Sequence, residues 1–437
     1  MQLSTRSRKE DAFCVFALLI LAGAFTTLLP RMQGIELVDG EANPYSTAAN
    51  AGILAGLMLL VALSWSKVVF VCRHGGVMNL LALLCLLSIL WSQAPDVSAR
   101  RIMLLLTAIV FAYYLLARYS VEHFIQLSAV ALGIAMVSSA AVAIALPSVG
   151  VMNETELAGS WCGVFGHKTQ LGGATVLAVL CFGWLVRHGE RHRILNVSLL
   201  LLSLFLAIMA RSRIAQVTIV LICSFAVFMP LLRVPGLMKV WAAYGMVVTA
   251  LSFGAILYFF FDEIVGALGK DATLTGRVPA WQSLLAMAAE RPFGGHGLNA
   301  FFVPGNPDLE GIWRKSGWVM WGAHNNFIQM MLDLGVPGLV LAVWALVEMI
   351  WRALNAWIAG TVSWASFAVL FGITCPAINM LEDVMFRNGN MQLVVFVVLF
   401  VAQRIHRAAA LADAQLASVR PGRKIHPNYA AYHSAER

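Results

Sequence analysis

Apolar runs of about twenty residues, the length of helix that crosses a bilayer, recur along this chain from end to end. Inside lipid every backbone N–H and C=O must be satisfied internally, so a chain of this kind can only form helices or a closed barrel. No stretch shows the alternating pattern of about ten residues that marks a barrel strand, and the runs therefore read as helices. Composition agrees. Of the 437 residues, 60% are hydrophobic and 12% are charged, too little charged surface for a soluble protein of this size. The expected fold class is an all-α polytopic membrane protein with about 12 transmembrane helices.

The spans are expected near 12–30, 47–65, 77–91, 101–117, 123–146, 170–187, 194–210, 214–232, 240–260, 336–352, 363–381 and 391–404. No small-residue cleavage site follows Pro30, so the first run reads as a retained helix and not as a signal peptide. Lys and Arg concentrate in RHGERHR (187–193) and in the tail from Arg404 onward, which puts both termini in the cytoplasm. Four units follow: 1–260 holds spans one to nine, 261–335 is one large periplasmic loop, 336–404 holds the last three spans, and 405–437 is a cytoplasmic tail read as disordered. Glu348 and Arg352 are four apart at the inner end of the tenth span, a spacing that pairs them. The cysteines lie mostly in apolar segments and imply no disulfide framework. The net charge of +8 is spread over loops, so it is no nucleic-acid signal and no nucleic-acid partner is expected.

The expected outer face collects cations against the positive-inside preference. Lys168 lies in GVFGHKTQLGG, Arg211 and Arg213 form ARSR in a turn of a few residues, Arg277 and Arg291 flank a helix-like segment, and Arg387 lies between the last two spans. Singly, each reads as a snorkelling anchor paired with a nearby carboxylate. Arg211 and Arg213 together repel unless an anion lies between them, which points to phosphate or diphosphate, whose oxygens match the planar guanidinium fork.

The segment TGRVPAWQSLLAMAAER (275–291) reads as a helix lying on the bilayer, with Val278, Trp281, Leu285 and Ala288 on its apolar face and Trp281 as an anchor. Arg277 sits near its N-terminus, a poor place for a cation and a good one for an anion. His324 opens HNNFIQMMLDLG, a short helix capped by Asn325 or Asn326 and ended by Gly335 and Pro337. His324 reads either as a polar cap or as a general base, since a helix N-terminus favours a neutral imidazole that can accept a proton. His296 and His167 read as structural. Glu382–Asp383 and Asp262–Glu263 read as balancing charges for outer arginines. No DxD pair, HExxH or cysteine pair offers a metal site, and no nucleotide-binding loop is present, so neither metal nor cofactor is expected.

In this order, GVFGHKTQLG (163–172), ARSRIAQ (210–216), LTGRVPAWQSLLAMAAERPFGGHGLNAF (274–301) and HNNFIQMMLDLGVPGL (324–339) resemble the O-antigen ligase and polymerase superfamily of bacterial membrane glycosyltransferases, and its exopolysaccharide-production polymerases most of all. The resemblance covers about the second half of the chain. It implies a GT-C-like bundle with short helices in its periplasmic loop, in the bacterial inner membrane. It further implies a metal-independent, inverting transfer from a glycan on a polyprenyl diphosphate. Arg211 and Arg277 match the family's diphosphate-contacting arginines, and His324 matches the histidine that activates the acceptor hydroxyl. Arg213, Arg291, Lys168 and Arg387 would be supporting, substrate-binding cations. Thr169 stands where the family often has Asn. The implied partners are the lipid-linked oligosaccharide, membrane lipid, and chain-length-regulating or export proteins.

Three functions stay open on these residues: a polysaccharide polymerase, a ligase that moves glycan onto a lipid A core, and a transporter or flippase of an anionic lipid or solute. A transporter should hold its charges near the midplane at broken helices, whereas these cations sit at span ends.

Overall fold

The computed structural model describes residues 7–33, 44–153, 157–189, 192–234, 277–317, 319–380, 382, 385–386 and 389–419, with scattered positions between 236 and 248. Across these residues the protein is all-α, with a single isolated bridge joining Val151 and Trp161. In chain order the first helices are α1 (Arg8–Leu21), α2 (Leu28–Met32), α3 (Pro44–Leu63), α4 (Trp65–Arg73), α5 (Val77–Leu87), α6 (Pro95–Arg118), α7 (Val121–Ala145) and the single turn α8 (Pro147–Gly150). There follow α9 (Lys168–His188), α10 (Arg193–Met209), α11 (Arg213–Phe228), α12 (Arg277–Glu290), α13 (Pro307–Ser316), α14 (Asn326–Ala359), α15 (Ala365–Asn379) and α16 (Met391–Val419).

Among the described residues 7 helices are long and apolar enough to cross a membrane, or 8 if α4 and α5 form one bent span. The protein is a multi-pass membrane protein, and the described residues alone do not confirm the expected count of twelve. The expected ninth span, 240–260, falls largely outside the described residues. α10 and α15 are apolar but shorter. The expected first span is broken: α1 has 14 residues, short of the roughly 20 a bilayer needs. Gly23 and Phe25 at positive φ then turn the chain into α2.

The second difference lies between α4 and α5, which bend by 99° where the sequence reads as a loop before a straight span. Asn79 holds the bend. Its amide donates to the Cys72 carbonyl at the end of α4 (2.7 Å), and it accepts from the Tyr113 hydroxyl (2.6 Å). A third difference is at the C-terminal end, where α16 continues beyond residue 404 to Val419.

Burial ranks the helices. Over its most apolar window α3 is 11% buried and α9 is 72% buried, so α3 lies at the rim of the bundle and α9 at its centre. α9 packs against α7, α10, α11 and α15, and α16 packs against α6, α14 and α7. The run Leu393–Val401 of α16 is buried on every side, as a helix that is apolar all round must be. Charged groups close one end of the bundle. Glu10 of α1 accepts from Arg118 of α6 (2.8 Å), Tyr119 donates to Asp11 (2.9 Å), and Glu348 of α14 takes both Arg352 (2.8 Å) and Arg404. The expected Glu348–Arg352 pair is therefore formed.

The segment from α12 to the start of α14 has a core of its own: Ala280, Leu284 and Ala288 of α12, Leu309 and Ile312 of α13, and Ile328 and Leu332 of α14. α12 thus buries Ala280, Leu284 and Ala288 against α13 and α14, while Leu285, on the face expected to lie on the bilayer, is 42% exposed. The Trp281 indole N–H donates to the Ala323 carbonyl (2.8 Å).

This small core is fastened to the bundle at a break in α14. Gly335 has φ 69° and ψ −165° inside an otherwise continuous helix, and a Cβ there would collide with the Pro292 carbonyl. The break at Gly335 and the missing N–H of Pro337 leave two carbonyls of α14 open: His296 N–H donates to Leu332 O (2.7 Å) and Gly297 N–H to Asp333 O (3.0 Å). On its other side the same strip meets the end of α5 and the start of α6, through Trp91 to Gly294 O (2.7 Å) and Ser98 to Leu298 O (2.9 Å). The glycines of PFGGHG thus allow the strip to pass between two helices at backbone contact.

Candidate functional site

Three of the singled-out cations stand at helix N-termini. Lys168 is the first residue of α9 and Arg213 of α11, while Arg277 opens the described part of α12. A cation there opposes the helix dipole at about 0.3–1 kcal/mol, and a helix N-terminus favours an anion.

α9 begins where His167 accepts from the Thr169 N–H through its ring nitrogen (3.3 Å). His167 is thus a cap, as its structural reading expected. Gly172, one turn on, lets the α10–α11 turn come close: a Cβ there would stand 2.6 Å from the Ser212 hydroxyl. Arg211 occupies that turn with φ 49°, a left-handed conformation that costs a non-glycine residue roughly 1–2 kcal/mol. The guanidinium donates to Ala158 O (3.1 Å), and Trp161 N–H bonds Met209 O (3.0 Å), which sews the loop before α9 onto the turn. Arg211 and Arg213 are both exposed, and Ser212 between them is buried.

His324 is also left-handed, with φ 46°. It is not the cap of α14; Asn325 is, accepting from the N–H groups of Phe327 (3.0 Å) and Ile328 (3.2 Å). The His324 ring is thereby released to point elsewhere, and its Nδ1 lies 3.2 Å from a carboxylate oxygen of Glu382. A carboxylate only accepts, so Nδ1 carries the proton and a neutral ring has its lone pair on Nε2. Glu382 also lines a narrow cleft with Thr169 and Gly173 of α9, Ser212 and Ile214 at the start of α11, and Gln392 of α16. The cleft measures about 30 Å³, room for water alone, so a larger anion would lie at its mouth.

These contacts bring Lys168, Arg211, Arg213 and His324 to one region through Thr169, Ser212 and Glu382. Arg277 stands one turn before Trp281 of α12, whose indole bonds to Ala323, the residue before His324. Arg291 lies past the far end of α12, roughly 20 Å along the axis from Arg277, and is exposed. Arg387 lies outside the described residues, as do Asp262, Glu263 and Asp383. Sequence reasoning missed Glu382 as a histidine partner and read it as a counter-charge for arginine. Its link to His324 crosses 58 residues, and no local pattern carries it.

His296 is buried and structural. Its Nε2 faces Met287 O (3.2 Å) and its Nδ1 faces the Gln93 amide (3.0 Å). Burial pushes its pKa below the usual 6.5; the bond to Met287 O opposes this, and nearby Arg291 adds to it. Both ring nitrogens face acceptor oxygens, Met287 O and Gln93 Oε1, and a neutral ring carries one N–H to donate. The folded state therefore binds fewer protons here than the undocked one, so docking of 292–298 is full above 6.5 and weakens as pH falls through the lowered value. Amide exchange at 294–298 should quicken on acidification in the wild type, and His296→Gln should flatten that dependence. Equal pH dependence in both would remove His296 as the cause.

Comparison with known proteins bears on the same region. Residues 198–343 match the family model described as O-Antigen ligase, a stretch that contains Arg211, Arg213, Arg277, Arg291 and His324. Over 89 residues the chain is 37% identical to "Exopolysaccharide production protein ExoQ" of Rhizobium meliloti (strain 1021). That match covers 20% of this chain and 20% of the relative. The matched region is thus similar to O-antigen ligase-like proteins.

Proposed function

We propose that this protein is a glycosyltransferase of the bacterial inner membrane that polymerises exopolysaccharide repeat units on the periplasmic face from a polyprenyl-diphosphate-linked donor, with both termini cytoplasmic. One observation carries the reading: Glu382 pairs with His324 and also lines the cleft between the N-termini of α9 and α11. The partner of a proton acceptor and the starts of two helices thus meet at one cleft.

In the transfer, His324 Nε2 takes the proton of the acceptor hydroxyl. The oxygen attacks the anomeric carbon from the face opposite the diphosphate, the bond from that carbon to the diphosphate oxygen breaks, and configuration inverts. The departing electron pair goes onto phosphate oxygens. Arg211, Arg213 and Arg277 meet that charge, with Lys168 at the edge, so no metal is required by the reading. Groups fixed before the charge develops stabilise it without reorganisation.

A ligase is the second reading, favoured by the description of the matched family, whereas the name of the relative favours exopolysaccharide. The lipid-linked material in a deletion strain separates them. Single repeat units on the carrier are expected. Long chains held on the carrier would mean a ligase, and an unchanged lipid-linked pool would overturn the glycosyltransferase reading.

A further inference from the structure

Away from the histidine, α12 and α13 leave an open cleft of about 400 Å³ between them, with Gln282, Ser283 and Met287 on one wall and Asp308, Gly311 and Lys315 on the other. We propose that this cleft is a sugar-binding subsite that holds the growing or acceptor glycan beyond the reacting residue; the inference rests on the glycan-transfer reading above.

Its volume is that of a small-molecule site. Its walls mix an amide, a hydroxyl, a carboxylate and an ammonium with apolar patches at Met287 and Ile312, which suits a ligand with hydroxyl edges and apolar ring faces. The carboxylate of Asp308 disfavours a diphosphate. Asp308 and Lys315 in the lining exclude a prenyl chain, because ionised groups are costly against hydrocarbon.

Position agrees with use. Gln282 is five residues along α12 from Arg277, about 8 Å, so a glycan whose reacting end lies by Arg277 reaches the cleft within a few rings. Both walls are rigidly built. Asn306 caps α13 by accepting from Asp308 N–H (3.1 Å), Gly317 closes it at φ 66°, and Leu309 and Ile312 anchor it in the local core. Gly311 is the exception. Glycine inside a helix costs about 1 kcal/mol against alanine, and a Cβ there would meet nothing within 4 Å. It keeps the cleft open at the expense of the helix.

Gly311→Leu therefore fills the cleft while favouring the helix. The probe is the lipid-free oligosaccharide released by mild acid from the repeat units of the deletion strain, added to purified protein in nanodiscs and followed by saturation-transfer NMR. Gly311→Leu should weaken its binding at least tenfold and shorten the polymer. Thermal stability should stay at or above wild type. His324→Ala should bind the probe as wild type does. Wild-type binding and chain length in Gly311→Leu would overturn the subsite. Probe binding that Gly311→Leu abolishes, in a protein that transfers nothing, would uphold the cleft and remove the glycosyltransferase reading instead.

Discussion

Replacing His324 with asparagine is expected to slow glycan transfer about 10²–10⁴-fold, the usual contribution of a positioned general base, while the protein inserts and melts as wild type. Asparagine is chosen because residue 324 is left-handed at φ 46°, a conformation asparagine tolerates. Loss of activity then reports the missing base and not a refolded turn. His324→Ala should abolish chain extension as well, at some cost in stability from the same backbone. Glu382→Gln gives the finer reading. The amide can still accept from Nδ1–H, but it can also turn and donate, so the ring is no longer held in one tautomer. Loss of an orienting partner typically costs about 10–100-fold, and Glu382→Gln should fall in that range. Polymer of normal length from His324→Asn would sink the assignment of the base. A Glu382→Gln protein as active as wild type would leave His324 a base without a positioning partner.

Periodicity made the bundle legible because lipid allows so few solutions. The spans expected near 47–65, 101–117, 123–146 and 170–187 have counterparts in α3, α6, α7 and α9. It misled where polar bonds decide the shape. Nothing in the hydropathy of 65–91 reveals that Asn79 will hold a 99° bend, and nothing near Trp281 reveals that its N–H is taken by Ala323. The site was legible in part for a related reason. Cations on the expected outer face run against the positive-inside preference, an anomaly that a single sequence displays, so Lys168, Arg213 and Arg277 stood out as candidates. Glu382 did not, because its meaning comes from a partner in another element. The glycines of PFGGHG were visible as turn residues, yet their use against the break at Gly335 is a fact of packing between segments.

Substituting Arg211 by glycine should separate the cost of that residue from its use. At φ 49° arginine bears a penalty of roughly 1–2 kcal/mol that glycine does not, offset in part by the greater backbone entropy glycine loses on folding. The bond from its guanidinium to Ala158 O is exposed, so losing it removes little. Arg211→Gly should therefore melt within a few degrees of wild type. Its transfer rate should fall steeply, since a charge-assisted bond to a phosphate oxygen is worth about 1.5–3 kcal/mol and each 1.4 kcal/mol is tenfold in rate. One such bond predicts about a tenfold to hundredfold loss, and a bidentate contact predicts more. Arg211→Lys should recover only part of it, because an ammonium brings the charge but not the planar fork. Strain kept at a residue that the fold does not need is expected where the residue is held for chemistry. A large drop in melting temperature with unchanged turnover in the remaining folded protein would reverse that order, making Arg211 a structural clamp between the α10–α11 turn and the loop before α9.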